Sequence, residues 1–404
     1  MTKIHGTNDP AFDPVRALLR ERVSSGDELG ASLCVNIDGK NVIDLWGGHA
    51  DVAKTQPWEK DTITAVWSCS KIVTNLAAML LVDRGLLDVN EKVATYWPEF
   101  AANGKENIKV SHILSHSSGL PAWEFPVTFE ELCDNKAATE RITKQAPWWT
   151  PGSSSGYHLA NQGHMVGEII RRISGKSLEQ FVADEIACPL DADFQYGVPE
   201  DQWYRTAEII PSTSPPIENL DPTGIPVRAI MGSPFPAEVS MTPAFRKTVV
   251  GATNGFSNAR ALARIGSIVS LSGTVDEHRI VDRTTIDKFL EEQVAGYDLV
   301  LGQYIRFALG VSLADYRTRA WIPEGNVAVW TGWGGSILIV SCFSFPTLLI
   351  WFPLTLTTVK MDLDRRMTIG YAMNNMCENG TMGNPNTEAY VRAIYEISKN
   401  LSVS

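Results

Sequence analysis

Near the start of the chain two apolar runs, Ala31 to Ile37 and Val42 to Trp46, flank Asp38-Gly39. An Asp-Gly pair between such runs predicts a two-stranded antiparallel hairpin. The period then changes. From Ser70 the stretch KIVTNLAAMLLVDRG carries apolar residues at helical spacing and stops at Gly85, which predicts a buried helix ended by a glycine, with Ser68 at its N-terminus. Helical spacing recurs at Gly163 to Ser174, Leu178 to Ile186 and Ala259 to Leu271. Strand patterns return at Asn326 to Trp330 and Met367 to Met373, followed by a helix near Thr387, while Pro211 to Pro236 is rich in Pro, Gly and Ser and reads as a long surface excursion. Strands at both termini around a helical middle predict an α+β fold: one antiparallel sheet built from both ends, with an inserted all-helical region. The expected division is a single domain whose sheet part spans 1–66 and 250–404 and whose mainly helical part spans 67–249.

One stretch departs from this pattern. Between Glu324 and Lys360 there is no charged residue, and 337–358 is apolar enough to match a membrane-span window. Three readings of 337–358 compete: a hydrophobic hairpin facing membrane or substrate, a true extension of the sheet, or translated non-coding sequence. Pro346 and Pro353 disfavour a spanning helix. The third reading is favoured, because a good strand pattern resumes directly afterwards, and membrane association is not expected unless the segment is real and exposed.

Composition narrows the function classes. The 404 residues are 44% hydrophobic, enough for a large core, and a net charge of -11 argues against a nucleic-acid or anionic-membrane surface. The expected partner is a small molecule that is not polyanionic. The opening residues lack the apolar stretch and cleavage site of a secretory signal, so a cytoplasmic location is expected. Six scattered cysteines with no CxxC pair suit reduced thiols. His49, His112, His116, His158, His164 and His278 show no HExxH-like spacing, so neither a metal nor any other cofactor is expected.

The chemistry centres on Ser68-Cys69-Ser70-Lys71, the sole Ser-x-x-Lys in the chain. On a first helical turn residues three apart share a face, so the Lys71 amine can reach the Ser68 hydroxyl, a weak nucleophile that needs a base. Alone, the pattern is weak, and a serine cap ahead of an ordinary surface lysine would normally account for it. A competing motif, Gly152-Ser153-Ser154-Ser155-Gly156, fits the G-x-S-x-G nucleophile elbow, but Trp149-Thr150-Pro151 before it is a turn opening and not the buried strand an elbow requires. Cys69 reads as inert packing and His116 as a residue that fixes its loop.

The segments WSCSKIVTNLAAMLLVDRGLLDVNEKV, HILSHSSGLP (His112 to Pro121) and PGSSSGYHLANQGHMVGEIIRRISGKSLEQF (from Pro151) together resemble the serine beta-lactamase-related family of class C beta-lactamases, DD-peptidases, family VIII esterases and fungal transesterases. The resemblance covers nearly the whole length and implies the beta-lactamase/transpeptidase-like fold. It implies that Tyr157 is the tyrosine of the family's Tyr-x-Asn box, assisting Lys71 in moving the Ser68 proton. The third position of that box is Leu159, a departure that resembles esterase members. VWTGWGGS from Val329 resembles the Lys-Thr-Gly box, with Trp330, Thr331 and Gly332 in place and tryptophan standing for lysine. By the same resemblance the N–H groups of Ser68 and Trp333 form an oxyanion hole.

The function expected is a serine ester hydrolase or acyltransferase working through acyl-Ser68 on a neutral, apolar ester, with water or an alcohol as acceptor; the likeness to fungal transesterases points to secondary metabolism. Trp123, Phe125, Trp148 and Trp149 suggest a roomy apolar pocket. The rivals are a beta-lactamase or DD-peptidase, disfavoured because Trp330 removes a cation for the substrate carboxylate, and a catalytically inactive binding protein on the same fold.

Overall fold

The N-terminal hairpin forms around Asp38 and Gly39, whose φ angles of +51° and +85° give the doubly left-handed turn that suits strand twist. It joins β2 (Gly30–Ile37) to β3 (Lys40–Gly48), and β1 (Ile4–Asn8) pairs with the outer edge of β3. The computed structural model describes residues 3–212, 221, 223–322, 327–333, 336–341, 366–376 and 385–401. The later strands are β4 (Thr64–Ala65), β5 (Phe194–Tyr196), β6 (Gly255–Ser257), β7 (Thr274–Val275), β8 (His278–Arg279), β9 (Val294–Tyr297), β10 (Tyr304–Phe307), β11 (Ser312–Leu313), β12 (Val327–Thr331), β13 (Ile337–Ser341) and β14 (Met367–Met373).

Nine of these make one antiparallel sheet in the order β1-β3-β2-β14-β13-β12-β11-β10-β9, so the two ends of the chain meet where β2 pairs with β14. The α+β expectation holds. One face is covered by the helices Asp13–Ser25 and Pro385–Leu401, which bury Val15, Leu19, Tyr390 and Ile394 against Leu33, Ile369 and Tyr371. The other face receives the helix Ala259–Ser270, whose apolar stripe of Leu262, Ile265 and Val269 enters the larger core shared with the helical region. The central helix of that core, Cys69–Asp83, is buried from Cys69 to Leu81, as a helix apolar on all sides must be, and Gly85 follows it at φ +67°. The Pro/Gly/Ser-rich stretch carries one helix, Ile225–Met231, among its described residues. Among the described residues no helix is long and apolar enough to cross a membrane.

The apolar segment 337–358 needs one correction. Ile337–Ser341 is β13, inserted between β12 and β14 with Val329 opposite Ile339 on one side and Ile339 opposite Ile369 on the other. This sheet is packed against helices on both faces, and a central strand of such a sheet reads as a continuous apolar run. These five residues are sheet, and any insertion begins after them; 342–358 lies outside the described residues. Removing Ile337–Ser341 is expected to abolish folding, because β12 and β14 would lose their shared partner. Soluble yield and the cooperative thermal transition check this, and a deletion variant with wild-type melting would overturn it.

Glu28 ties the sheet to the C-terminal helix. Its buried carboxyl accepts from the Tyr371 hydroxyl, from the Asn386 amide at 3.0 Å and from the Tyr390 hydroxyl at 3.4 Å. Burial dominates these bonds and pushes the carboxyl up from 4.5 to about 7. The folded state thus holds a proton that the unfolded state releases between those values, so this contribution is full below pH 4.5 and is lost as pH rises to about 7. The loss is at most about 3 kcal/mol. Glu28→Gln is expected to flatten the dependence, read from urea midpoints between pH 5 and 8.

Candidate active site

The nucleophile is set by its neighbours in the chain. β4 runs into Trp67, a non-glycine residue at φ +47° whose ring is locked between Phe245 and Trp333 at centroid distances of 5.7 and 5.3 Å. Such a conformation persists only where the surroundings over-determine it. It turns the chain sharply, so Ser68 is half-exposed at the N-terminus of a helix whose next thirteen residues are buried. Ser68 makes no side-chain cap, so its hydroxyl is not spent on the helix amides.

One turn later Lys71 is fully buried, and its Nζ lies 3.1 Å from Ser68 Oγ, 2.9 Å from Leu159 O and 3.0 Å from Ala252 O. Burial holds its amine well below the ordinary lysine range. A neutral amine has two N–H groups and one lone pair, so the two carbonyls can take the N–H groups and leave the lone pair for the Ser68 proton. Lys71 also sits 4.8 Å from the centre of the Tyr157 ring. Burial pushes the Tyr157 phenol above its ordinary value while a hydrogen bond with Ser68 opposes the rise, so the hydroxyl remains a neutral donor beside the nucleophile.

Trp330 closes the far side. It is 3% exposed, and its indole N–H donates to Ser68 O at 2.6 Å. Its ring stacks on His116 and packs against Tyr157 and Phe307 at 5.7, 6.0 and 6.1 Å. Tryptophan at this position therefore props the nucleophile from beneath. Gly332, two residues on, approaches the Val66 carbonyl so closely that a Cβ there would lie 2.4 Å from its oxygen. Thr331 is half-buried at the end of β12, and Trp333 is exposed.

The expected pocket aromatics separate. Trp123 is fully buried with its N–H on Ala138 O at 2.9 Å, so it belongs to the core and lines no opening. Phe125 is 58% exposed. Trp148 is half-buried, donates to Glu124 at 2.6 Å and carries the Arg228 guanidinium 4.0 Å above its ring. Trp149 donates to Ser154 O at 3.0 Å. Trp148, Tyr157, Leu159, Ile225 and Leu301 gather as half-buried apolar side chains around Ala122, Ala229 and Val300. Ser154 of the competing elbow donates to Ser153 O at 2.8 Å and follows a turn, with no base hydrogen-bonded to it among the described residues.

Two features were not read from the sequence. Asp298, 1% exposed, accepts the Tyr157 N–H at 3.0 Å. A lone aspartate in GYDL carries no signal of that contact. The second is Trp67, whose strained backbone no pattern announces. Cys69 is buried with its thiol pushed up to about 12, which leaves it inert.

The Beta-lactamase family model matches residues 15–348 of this chain. Among curated relatives, the Esterase/beta-lactamase LipL of Mycobacterium tuberculosis is 29% identical over 305 residues, covering 70% of this chain and 68% of that protein. A beta-lactamase of Escherichia coli is 27% identical over 161 residues, covering 40% of this chain and 41% of its own. Among solved structures, a family VIII carboxylesterase is 31% identical with a TM-score of 0.86, covering 98% of this chain and 100% of that one. A penicillin-binding protein homologue from Caulobacter crescentus reaches the same TM-score of 0.86 at 29% identity, again covering 98% and 100%. The chain belongs to the beta-lactamase family, as a hydrolase of its esterase and beta-lactamase kind.

Proposed function

We propose that the chain is a serine-dependent ester hydrolase or acyltransferase that acts through an acyl-Ser68 intermediate on neutral, apolar small-molecule esters. The observation that carries this reading is the Lys71 amine, buried without a carboxylate partner among the described residues, 3.1 Å from Ser68 Oγ and bound on its other side by two backbone carbonyls. Neutral Lys71 takes the Ser68 proton as Oγ attacks the ester carbonyl. The tetrahedral oxyanion is received by the N–H groups of Ser68 and Trp333. Collapse expels the alkoxide, which takes a proton from the Tyr157 hydroxyl, and Lys71 restores that proton; water or an alcohol then repeats the sequence in reverse to release the acyl group.

The substrate class follows from what borders the site. Trp330 offers no cation to a carboxylate, which disfavours anionic lactams and peptides, whereas the half-buried Trp148, Leu159, Ile225 and Leu301 around Tyr157 suit an apolar acyl or alcohol group. The likeness to the family VIII carboxylesterase and to the Esterase/beta-lactamase LipL supports ester hydrolysis. Cytoplasmic location and a place in secondary metabolism remain part of the proposal, with an ester or acyl donor and an alcohol acceptor as partners and no cofactor.

Ser68→Ala is expected to lower turnover of a p-nitrophenyl ester by several orders of magnitude, whereas Ser154→Ala keeps most of it, because only Ser68 has a base beside it. Equal losses in two folded variants would sink this assignment, and failure of a phosphonate to label Ser68 would favour an inactive binding protein. The pH profile tests the base. Lys71 acts unprotonated, so kcat/KM rises with pH through its pKa, and burial places that limb well below the ordinary lysine value of 10.5. Lys71→Ala should remove the limb; a limb unchanged in that variant belongs to another group.

A further inference from the structure

Gly156, Tyr157 and His158 cross the site as a loop, and each of their three backbone N–H groups is taken by an acceptor from elsewhere in the chain. Gly156 N–H donates to His116 O at 2.9 Å, Tyr157 N–H to Asp298 Oδ1 at 3.0 Å, and His158 N–H to His116 Nδ1 at 3.0 Å. The acceptors are themselves fixed. Asp298 Oδ1 also accepts from Val300 N–H at 3.0 Å and Leu301 N–H at 2.9 Å, while Leu299 N–H donates to Ser155 O at 2.9 Å, stitching the two loops together.

The tautomer of His116 follows from the same contacts. Because Nδ1 accepts an amide, its proton resides on Nε2. His158 Nδ1, 3.0 Å from His116 Nδ1, must then be the donor, which leaves His158 Nε2 to accept from Ser118 Oγ–H at 2.6 Å. Ser118 Oγ in turn accepts Leu120 N–H at 3.2 Å. This three-member chain runs in one direction only, and it sets a neutral imidazole, at φ +60°, 4.7 Å from the Tyr157 ring and stacked on Trp330. Burial holds both imidazoles below their ordinary range, in keeping with the neutral chain.

We propose that His116 and Asp298 are positioning residues for Tyr157, clamping its backbone from both sides so that its hydroxyl stays beside Ser68. The inference rests on the reading of Tyr157 as the proton donor to the leaving group. A displaced Tyr157 should therefore harm substrates in proportion to their need for that proton.

The test compares kcat/KM for ethyl butyrate, whose alkoxide must be protonated, with p-nitrophenyl butyrate, whose phenolate leaves without it. Tyr157→Phe is expected to lose roughly 100-fold or more on the ethyl ester and at least about tenfold less on the other. His116→Gln moves the polar group away from the Nδ1 position and Asp298→Ala deletes the acceptor. Both should show the same skew, and combining either with Tyr157→Phe should add less than about threefold on the ethyl ester, since residues acting as one unit are non-additive. His116→Asn, which keeps an acceptor at the Nδ1 position and tolerates φ > 0, and Asp298→Asn should retain the wild-type ratio of the two esters. Equal loss on both esters, or either asparagine variant acquiring the skew, would overturn the proposal. Should His116→Gln and Asp298→Ala fail to fold, the asparagine variants decide, a retained ratio supporting the clamp. If Tyr157→Phe itself shows no skew, it is the proton-donor reading that fails.

Discussion

The constraint on which the site depends is the burial of the Lys71 amine with no counter-ion among the described residues. Removing an ammonium from water costs several kcal/mol unless it is paired, and the group responds by giving up its proton. At Lys71 the surroundings supply two backbone carbonyls and a serine hydroxyl, enough to satisfy a neutral amine but too little to hold a charged one. The price of this arrangement is that three distant pieces of chain must converge on one nitrogen. The Ser68 turn, the Leu159 loop and the Ala252 loop are therefore fixed by the same requirement that makes the lysine a base.

The aromatic surround extends that logic. Tyr157, His116, Phe307 and Trp330 pack face or edge against one another within 4.7 to 6.4 Å, excluding water from one side of the amine. His116 and His158 would each add a cation if protonated, and burial holds both below their ordinary range. With tryptophan at 330 no second lysine enters the cluster. Among the described residues Lys71 is thus the one amine in the cluster. The same tryptophan supplies a donor to the Ser68 carbonyl, a contact that a flexible ammonium would make less rigidly.

What was legible in the sequence follows the range of the physics involved. The hairpin at Asp38-Gly39, the helix from Cys69, and the strands near 327–331 and 367–373 are local patterns of period and turn chemistry, and they appear within a residue or two of their expected bounds. Ser68 and Lys71 were legible because residues three apart on a helix must meet. Trp123 was misjudged as pocket lining because an aromatic near a motif looks the same whether it faces a cavity or the core; its indole N–H found a helix carbonyl at Ala138. Asp298 was invisible since its contact to Tyr157 spans 141 residues and depends on how two loops pack. β13 resembles the start of an insertion because a central strand of a sheet covered on both faces lacks the alternation by which half-exposed strands are recognised.

That strand bears on how the site is assembled. Trp330 reaches Ser68 from β12, and β12 is paired with β13, whose other edge rests on β14 and, through it, on the N-terminal hairpin. The nucleophile helix packs in the larger core, which Trp330 shares, and is tied further by the Asp282 N–H and the Thr285 hydroxyl, both of which donate to Asp83. Ser68 therefore lies at the seam where the helix meets β12, and the Trp330 indole bond crosses it. A site on such a seam gains precision from both sides, since neither the helix nor the strand can move without breaking a buried contact. The apolar run at Ile337–Ser341, which resembles a foreign segment in one dimension, is in three dimensions the strand that keeps the Trp330 side of the seam in register.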